Sequence, residues 1–94
     1  GVSYNEDPEI VKKLLLEVAD ENPNVQKEPK PKVFFDNFGD SSLDFRLGIW
    51  TSTYTDKPEF LKSEIYFAIF KKFRENNIQI PYPQRDVHIK TQVK

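Results

Sequence analysis

Asp36, Asp40 and Asp44, with Ser41 and Ser42 set among them, are the side chains whose types and spacing come nearest to a chemical site. Carboxylates at such intervals could gather a hard cation, and a serine beside an aspartate could act as a nucleophile given a base and an oxyanion site. The aspartates lack the dense oxygen-ligand spacing of a calcium loop, and no base accompanies the serines. Short polar side chains holding a turn account for both. His88, the one histidine, alternates with Val87 and Ile89 and so points away from the core as an exposed titratable group. There is no Cys, which removes disulfides and thiolate metal sites. Gly1, Gly39 and Gly48 are scattered and none opens a helix, so no phosphate-cradling loop is present. The residues predict no enzyme, no cofactor and no metal.

Charge narrows the partners further. Fourteen basic and fifteen acidic residues leave a net charge of −1, with the two signs interleaved. Phosphate binding needs a dominant basic stripe, so nucleic acid is not an expected partner. No apolar run approaches the roughly 20 residues that span a bilayer, and the chain reads as soluble. Its 94 residues predict a single domain over 1–94, near the lower end of what folds without staples. It opens on Gly1 with no charged or apolar leader, which reads as a boundary inside a longer polypeptide.

The elements that position these residues follow from periodicity. Asp7 before Pro8 predicts a capped helix start, and Ile10, Val11, Leu14, Leu15 and Val18 give one apolar face over residues 8–20, ended by Asn22-Pro23. Pro29 and Pro31 mark an extended loop over 24–32. Alternation predicts strands over 32–38 and 42–51, joined through Gly39-Asp40-Ser41 as a hairpin. Asp56 and Glu59 have capping-box spacing ahead of a helix over 58–76, whose stripe comprises Leu61, Ile65, Tyr66, Ala68, Ile69 and Phe73. Asn76-Asn77 ends it, and a double-proline link leads to a last strand over 86–91. With Val2-Ser3-Tyr4 as a first short strand the order is βαββαβ. That order predicts an α+β, ferredoxin-like sandwich: a four-stranded antiparallel sheet, strand order 4-1-3-2, with two helices on one face.

Helices on one side leave the other sheet face open, which makes Phe34, Phe38, Arg46 and Trp50 candidates for an exposed or shared surface. The face does not reproduce the basic-Gly-aromatic signature of RNA-recognition modules. Phe60, Phe67 and Phe70 fall outside the α-helical core stripe and need cover from a loop or from another molecule.

Taken in order, Val2-Ser3-Tyr4-Asn5, Asp7-Pro8, Phe38-Gly39-Asp40-Ser41-Ser42-Leu43, Leu47-Gly48-Ile49-Trp50 and Ile80-Pro81-Tyr82-Pro83-Gln84-Arg85-Asp86-Val87-His88 form one series. It resembles the C-terminal α/β domain of the small-conductance mechanosensitive channel (MscS) family, over nearly the whole chain. The motif residues Pro81, Tyr82, Pro83, Gln84, Asp86 and Val87 are its most specific part. The resemblance implies a wall element of a hollow cytoplasmic cage, a heptamer in the full-length channel, below the pore at the cytoplasmic face of a bacterial or archaeal inner membrane. It places transmembrane helices and a middle β domain upstream of Gly1. Ions and small solutes would pass through the cage and its side portals when membrane tension opens the channel in hypo-osmotic shock. The fragment itself would not conduct or contact the membrane, and alone it is expected to be monomeric or weakly associating. Trp50, Phe60, Phe67 and Phe70 are then candidate subunit contacts. Two other readings stay open: a regulatory sensing domain of the channel, motivated by the mixed charges of Asp36, Asp40, Asp44 and Arg46, and a free-standing ferredoxin-like module for RNA or a small ligand.

Overall fold

The structure is a computed structural model, and it describes residues 1–81. Its elements are α1 (Pro8–Glu21), β1 (Lys32–Phe38), β2 (Leu43–Gly48) and α2 (Pro58–Glu75). α1 packs against α2 and against an antiparallel two-stranded sheet, and α2 meets the sheet through side chains of the shared core, an α+β arrangement.

The start of α1 is set by Asp7, whose Oδ1 accepts the Glu9 N–H at 2.9 Å while Pro8 occupies the first turn. Val11, Leu14, Leu15, Val18 and Ala19 are buried. Ile10, expected on that face, is 48% exposed, because the buried arc centres between Val11 and Val18 and Ile10 lies at its margin. Asn22 turns extended ahead of Pro23 and ends the helix.

The hairpin register runs from Lys32↔Gly48 to Phe35↔Phe45, then resumes at Asn37↔Asp44 and Phe38↔Leu43. Asp36 is the extra residue of a β-bulge. An extra residue reverses the alternation beyond it, so Phe34 and Phe38 do not share a face as unbroken periodicity predicts. Phe34 lies opposite Arg46, with the guanidinium 4.6 Å from its ring centroid. Phe38 lies against Phe35 (centroids 5.1 Å apart), which stacks on Phe45 at 4.9 Å. The ladder also stops at Gly48, short of the expected 51, because β1 begins at Lys32 directly after Pro31, which has no N–H to extend it.

The turn closes through the Gly39 N–H on the Ser42 carbonyl at 2.7 Å. A Cβ at Gly39 would stand 2.9 Å from both Asp44 Oδ2 and Ser42 Oγ, so a larger residue there would have to displace these two side chains. The expected first strand is reduced to one antiparallel bridge, Val2↔Leu43, and on its other side the Ser3 N–H donates to the Gln79 carbonyl at 2.9 Å.

Pro58 fixes the first helical position of α2, which makes Lys57 the cap and moves Glu59 one place too early for a box with Asp56; no side chain caps this end. Leu61, Ile65 and Phe73 are buried and Ala68 and Ile69 are half-buried. Tyr66, expected in the stripe, is 61% exposed at its edge, with Lys62 Nζ 5.6 Å from its ring. Val2, Val11, Leu14, Leu15, Leu43 and Phe73 form one core cluster, and Val18, Ala19, Val25, Leu61 and Ile65 form a second. Val33 and Phe45 pack on the first cluster and Leu47 and Ile49 on the second, so both helices cover the same sheet face. The expected strand over 86–91 lies outside the described residues.

Candidate interaction surface

α2 carries two opposed faces. The inner one holds Leu61, Ile65 and Phe73; the outer one presents Phe60, Phe67 and Phe70, whose spacing of seven and three residues aligns them along the helix. Phe67 is 76% exposed, and Phe60 and Phe70 are half exposed. With Glu59, Lys62, Ser63 and Tyr66, the rings of Phe67 and Phe70 line a shallow groove of about 490 Å³. Cations flank it: Lys57 Nζ stands 5.5 Å from the Phe60 ring and the Arg74 guanidinium 5.6 Å from that of Phe70. Phe60 also meets Tyr54 edge-on at 6.0 Å. Phe67 is thus largely open to solvent, while Phe60 and Phe70 keep about half of their surface exposed.

Trp50 stands apart from this group. It follows β2, is half exposed, and its carbonyl accepts the Gln26 N–H at 2.8 Å, which ties the proline-rich loop to the sheet end. It has no aromatic neighbour among the described residues. Of the motif residues, Pro81 is half-buried, and Tyr82, Pro83, Gln84, Asp86 and Val87 lie outside the described residues, as does His88.

Of the hairpin side chains weighed for chemistry, Ser42, Asp36 and Asp44 have partners within the hairpin. Ser42 Oγ donates to Asp44 Oδ1 at 2.6 Å, and Arg46 donates to both oxygens of Asp36 at 3.0 and 3.3 Å. Among the described residues, no group of three or more His, Cys, Asp or Glu could hold a metal ion. Nor is any helix there long and apolar enough to cross a membrane.

Two polar clamps escape a reading of sequence alone. Glu64 Oε1 accepts from Asn22 Nδ2 and Asn24 Nδ2, both at 3.2 Å, and Oε2 accepts the Tyr54 hydroxyl at 3.1 Å. The Asn22 hydrogen bond, with those of Asn24 and Tyr54, holds the Glu64 carboxyl below the usual carboxylate range against partial burial; the same carboxylate pushes the Tyr54 phenol up. Lys72 Nζ reaches Glu21 at 2.9 Å and Glu17 at 3.4 Å, and the Glu21 hydrogen bond raises its pKa most, opposed by desolvation. Both clamps tie α2 to the second half of α1 or to residues C-terminal to it. Their partners lie 40 or more residues apart in most cases, beyond any periodicity.

Residues 1–80 match the family described as "Mechanosensitive ion channel MscS, C-terminal". The chain is 40% identical over 89 residues to an uncharacterized MscS family protein of Synechocystis, covering 95% of this chain and 29% of that protein. It is 39% identical over 89 residues to the mechanosensitive channel MscK of Escherichia coli, covering 95% of this chain and 8% of MscK. Against the small-conductance mechanosensitive channel of Helicobacter pylori it is 32% identical over 92 residues, 98% of this chain and 33% of that one. The chain thus spans about a third or less of these relatives. With the family matched across almost all of the described fold, this chain belongs to the MscS family of mechanosensitive channels, at its C-terminal domain.

Proposed function

We propose that residues 1–94 are one domain that serves as a wall element of the cytoplasmic vestibule of a mechanosensitive channel. In this reading the transmembrane helices and a middle β domain lie upstream, the parent assembles as a heptamer in a bacterial or archaeal inner membrane, and tension in hypo-osmotic shock opens it to ions and small solutes. The domain itself conducts nothing; it forms cage wall and portal edges. The observation that carries the reading is the family match over residues 1–80, together with relatives that include a named mechanosensitive channel.

The aromatic face of α2 supports the wall assignment. Phe60, Phe67 and Phe70 lie off the core, and large apolar rings aligned on one exposed face suit contact with a neighbouring copy. Trp50 is a second contact at the sheet end. The ferredoxin-like order 4-1-3-2 is supported by the placement of Val2 beside Leu43 and of Gln79 beside Ser3, on opposite sides of the N-terminal segment. The motif Pro81, Tyr82, Pro83, Gln84, Asp86 and Val87 is, in this reading, the family's signature after α2. Of the charges that would motivate a sensing role, Asp36 and Arg46 neutralise each other and Asp44 accepts a hydrogen bond from Ser42, which favours the mechanical reading.

The test expresses the full-length parent in cells stripped of their own tension-gated channels. A tension-activated current in membrane patches and survival of osmotic downshock support the reading. Membrane-inserted protein that gives neither overturns it.

A further inference from the structure

The turn end of the hairpin and the outer face of α2 both expose aromatic rings, and they differ in charge. Residues 36–44 carry Asp36, Asp40 and Asp44 and no basic side chain. Among the described residues a cation pairs with Asp36 alone of the three, Arg46 from β2. Phe38 stands among these aspartates, 69% exposed, because the bulge at Asp36 turns it beside Phe35 and away from the Phe34 face. The turn that carries it is braced three times: the Gly39 N–H donates to the Ser42 carbonyl, the Ser42 hydroxyl to Asp44, and the Tyr4 hydroxyl to the Gly39 carbonyl. A ring on a braced turn loses little freedom when it docks.

At α2 the balance reverses. The exposed cations Lys57, Lys62, Lys71 and Arg74 outnumber the exposed Glu59 and Glu75, and the groove walled by Phe67 and Phe70 lies among them. Like faces of this kind repel. α2 against α2 sets Lys62, Lys71 and Arg74 against their own copies, and turn against turn does the same with Asp40 and Asp44. A contact between two identical patches also closes at a dimer, whereas a ring of more than two copies needs a different patch on each side of every contact. Acidic turn and basic groove are such a pair.

We propose that the α2 groove of Phe67 and Phe70 receives the Phe38 turn of a neighbouring copy of this chain, with Asp40 of that turn facing Lys62 and Arg74. The proposal rests on the channel assembly proposed above and names the surface that covers the aromatic face within it. The contact is directional, so each copy gives its turn to one neighbour and its groove to the other. One inserted ring and a few exposed charges bind weakly by themselves, and the rest of the parent raises their effective concentration. That weakness agrees with an isolated chain that is monomeric or weakly associating.

The experiment places Phe38→Cys and Phe67→Cys together in a cysteine-free full-length parent and oxidises the membranes mildly with copper phenanthroline. Both positions are exposed, so the core is untouched. The expected result is a ladder of covalent multimers that reaches the whole ring and forms at least about tenfold faster than any product of either single-cysteine protein. Asp40→Lys in the same background is expected to slow the ladder at least about tenfold. Covalent dimers from Phe67→Cys alone, formed at the ladder's rate, overturn the proposal in favour of like faces meeting. A ladder that keeps its rate with Asp40→Lys overturns it too. An assembled, tension-gated channel without the ladder overturns it and leaves the channel reading intact, giving the groove to another part of the parent or to another protein. A ladder in a ring that passes no tension-activated current upholds the docking and overturns the channel reading. A parent that forms no ring, judged by the native mass of the purified protein, overturns both.

Discussion

Ile78 donates its backbone N–H to the carbonyl of Phe73 at 2.8 Å, and the side chains of the two residues meet in the same core cluster. Between them Asn77 adopts φ 58°, in the left-handed region, while its own N–H reaches Arg74. This paired 6→1 and 5→2 closure ends α2 and delivers the chain to Gln79, beside Ser3. Asn77→Val should destabilise the domain by about 1–2 kcal/mol, since a β-branched residue resists that conformation, whereas Asn77→Gly should be neutral or slightly stabilising. Urea unfolding of the two variants checks the contrast.

The inner and outer faces of α2 should respond in opposite ways to truncation. Phe73→Ala opens a cavity where both helices meet β2 and should cost about 3–5 kcal/mol. Phe67→Ala removes a ring already facing solvent and should change the stability of the 94-residue chain by less than about 0.5 kcal/mol. Thermal unfolding by circular dichroism separates them.

The Glu64 clamp gives stability a defined pH dependence. Its folded pKa is depressed, so the stabilisation is complete above the ordinary glutamate value and is lost as pH falls through the lower folded value. Glu64→Gln should therefore flatten the loss of stability below about pH 4.5, with little effect on its shape near neutrality. Denaturant midpoints taken between acid and neutral pH test the sign. Tyr54→Phe should flatten the same limb in part, because one of the three donors is removed.

On its own the chain should be monomeric or weakly associating. Burying three phenylalanine rings contributes roughly 5–9 kcal/mol at most, while association costs on the order of 4–15 kcal/mol before any gain appears. Light scattering at low micromolar concentration should report a monomer mass, and a stable heptamer there would contradict this.

Much of the described architecture is legible in the sequence where one local signal acts alone. Asp7-Pro8 marks the start of α1, Asn76-Asn77 closes α2 within a residue, and β1 occupies the expected 32–38. Differences arise where two signals compete. At the start of α2 the Asp56 and Glu59 spacing suggests a box, but Pro58 sets the first helical position and moves the cap to Lys57. In β1 the aromatic alternation carries no mark of the extra residue at Asp36, so periodicity groups Phe38 with Phe34 although it packs beside Phe35. The exposure of Phe60, Phe67 and Phe70 comes directly from their helical phase. The Glu64 and Lys72 clamps have no such phase, because they join segments whose proximity only the fold creates.

The central claim, that the α2 aromatic face meets a neighbouring copy in the channel, is tested most directly by the reactivity of position 67. Phe67→Cys is introduced into a cysteine-free full-length parent and into this naturally cysteine-free chain, and both are labelled with a water-soluble maleimide. The wall reading predicts labelling at least about tenfold slower in the assembled channel than in the isolated chain, as for a site covered at an interface. Equal rates in the two would show that the face stays open to solvent in the channel and would contradict it.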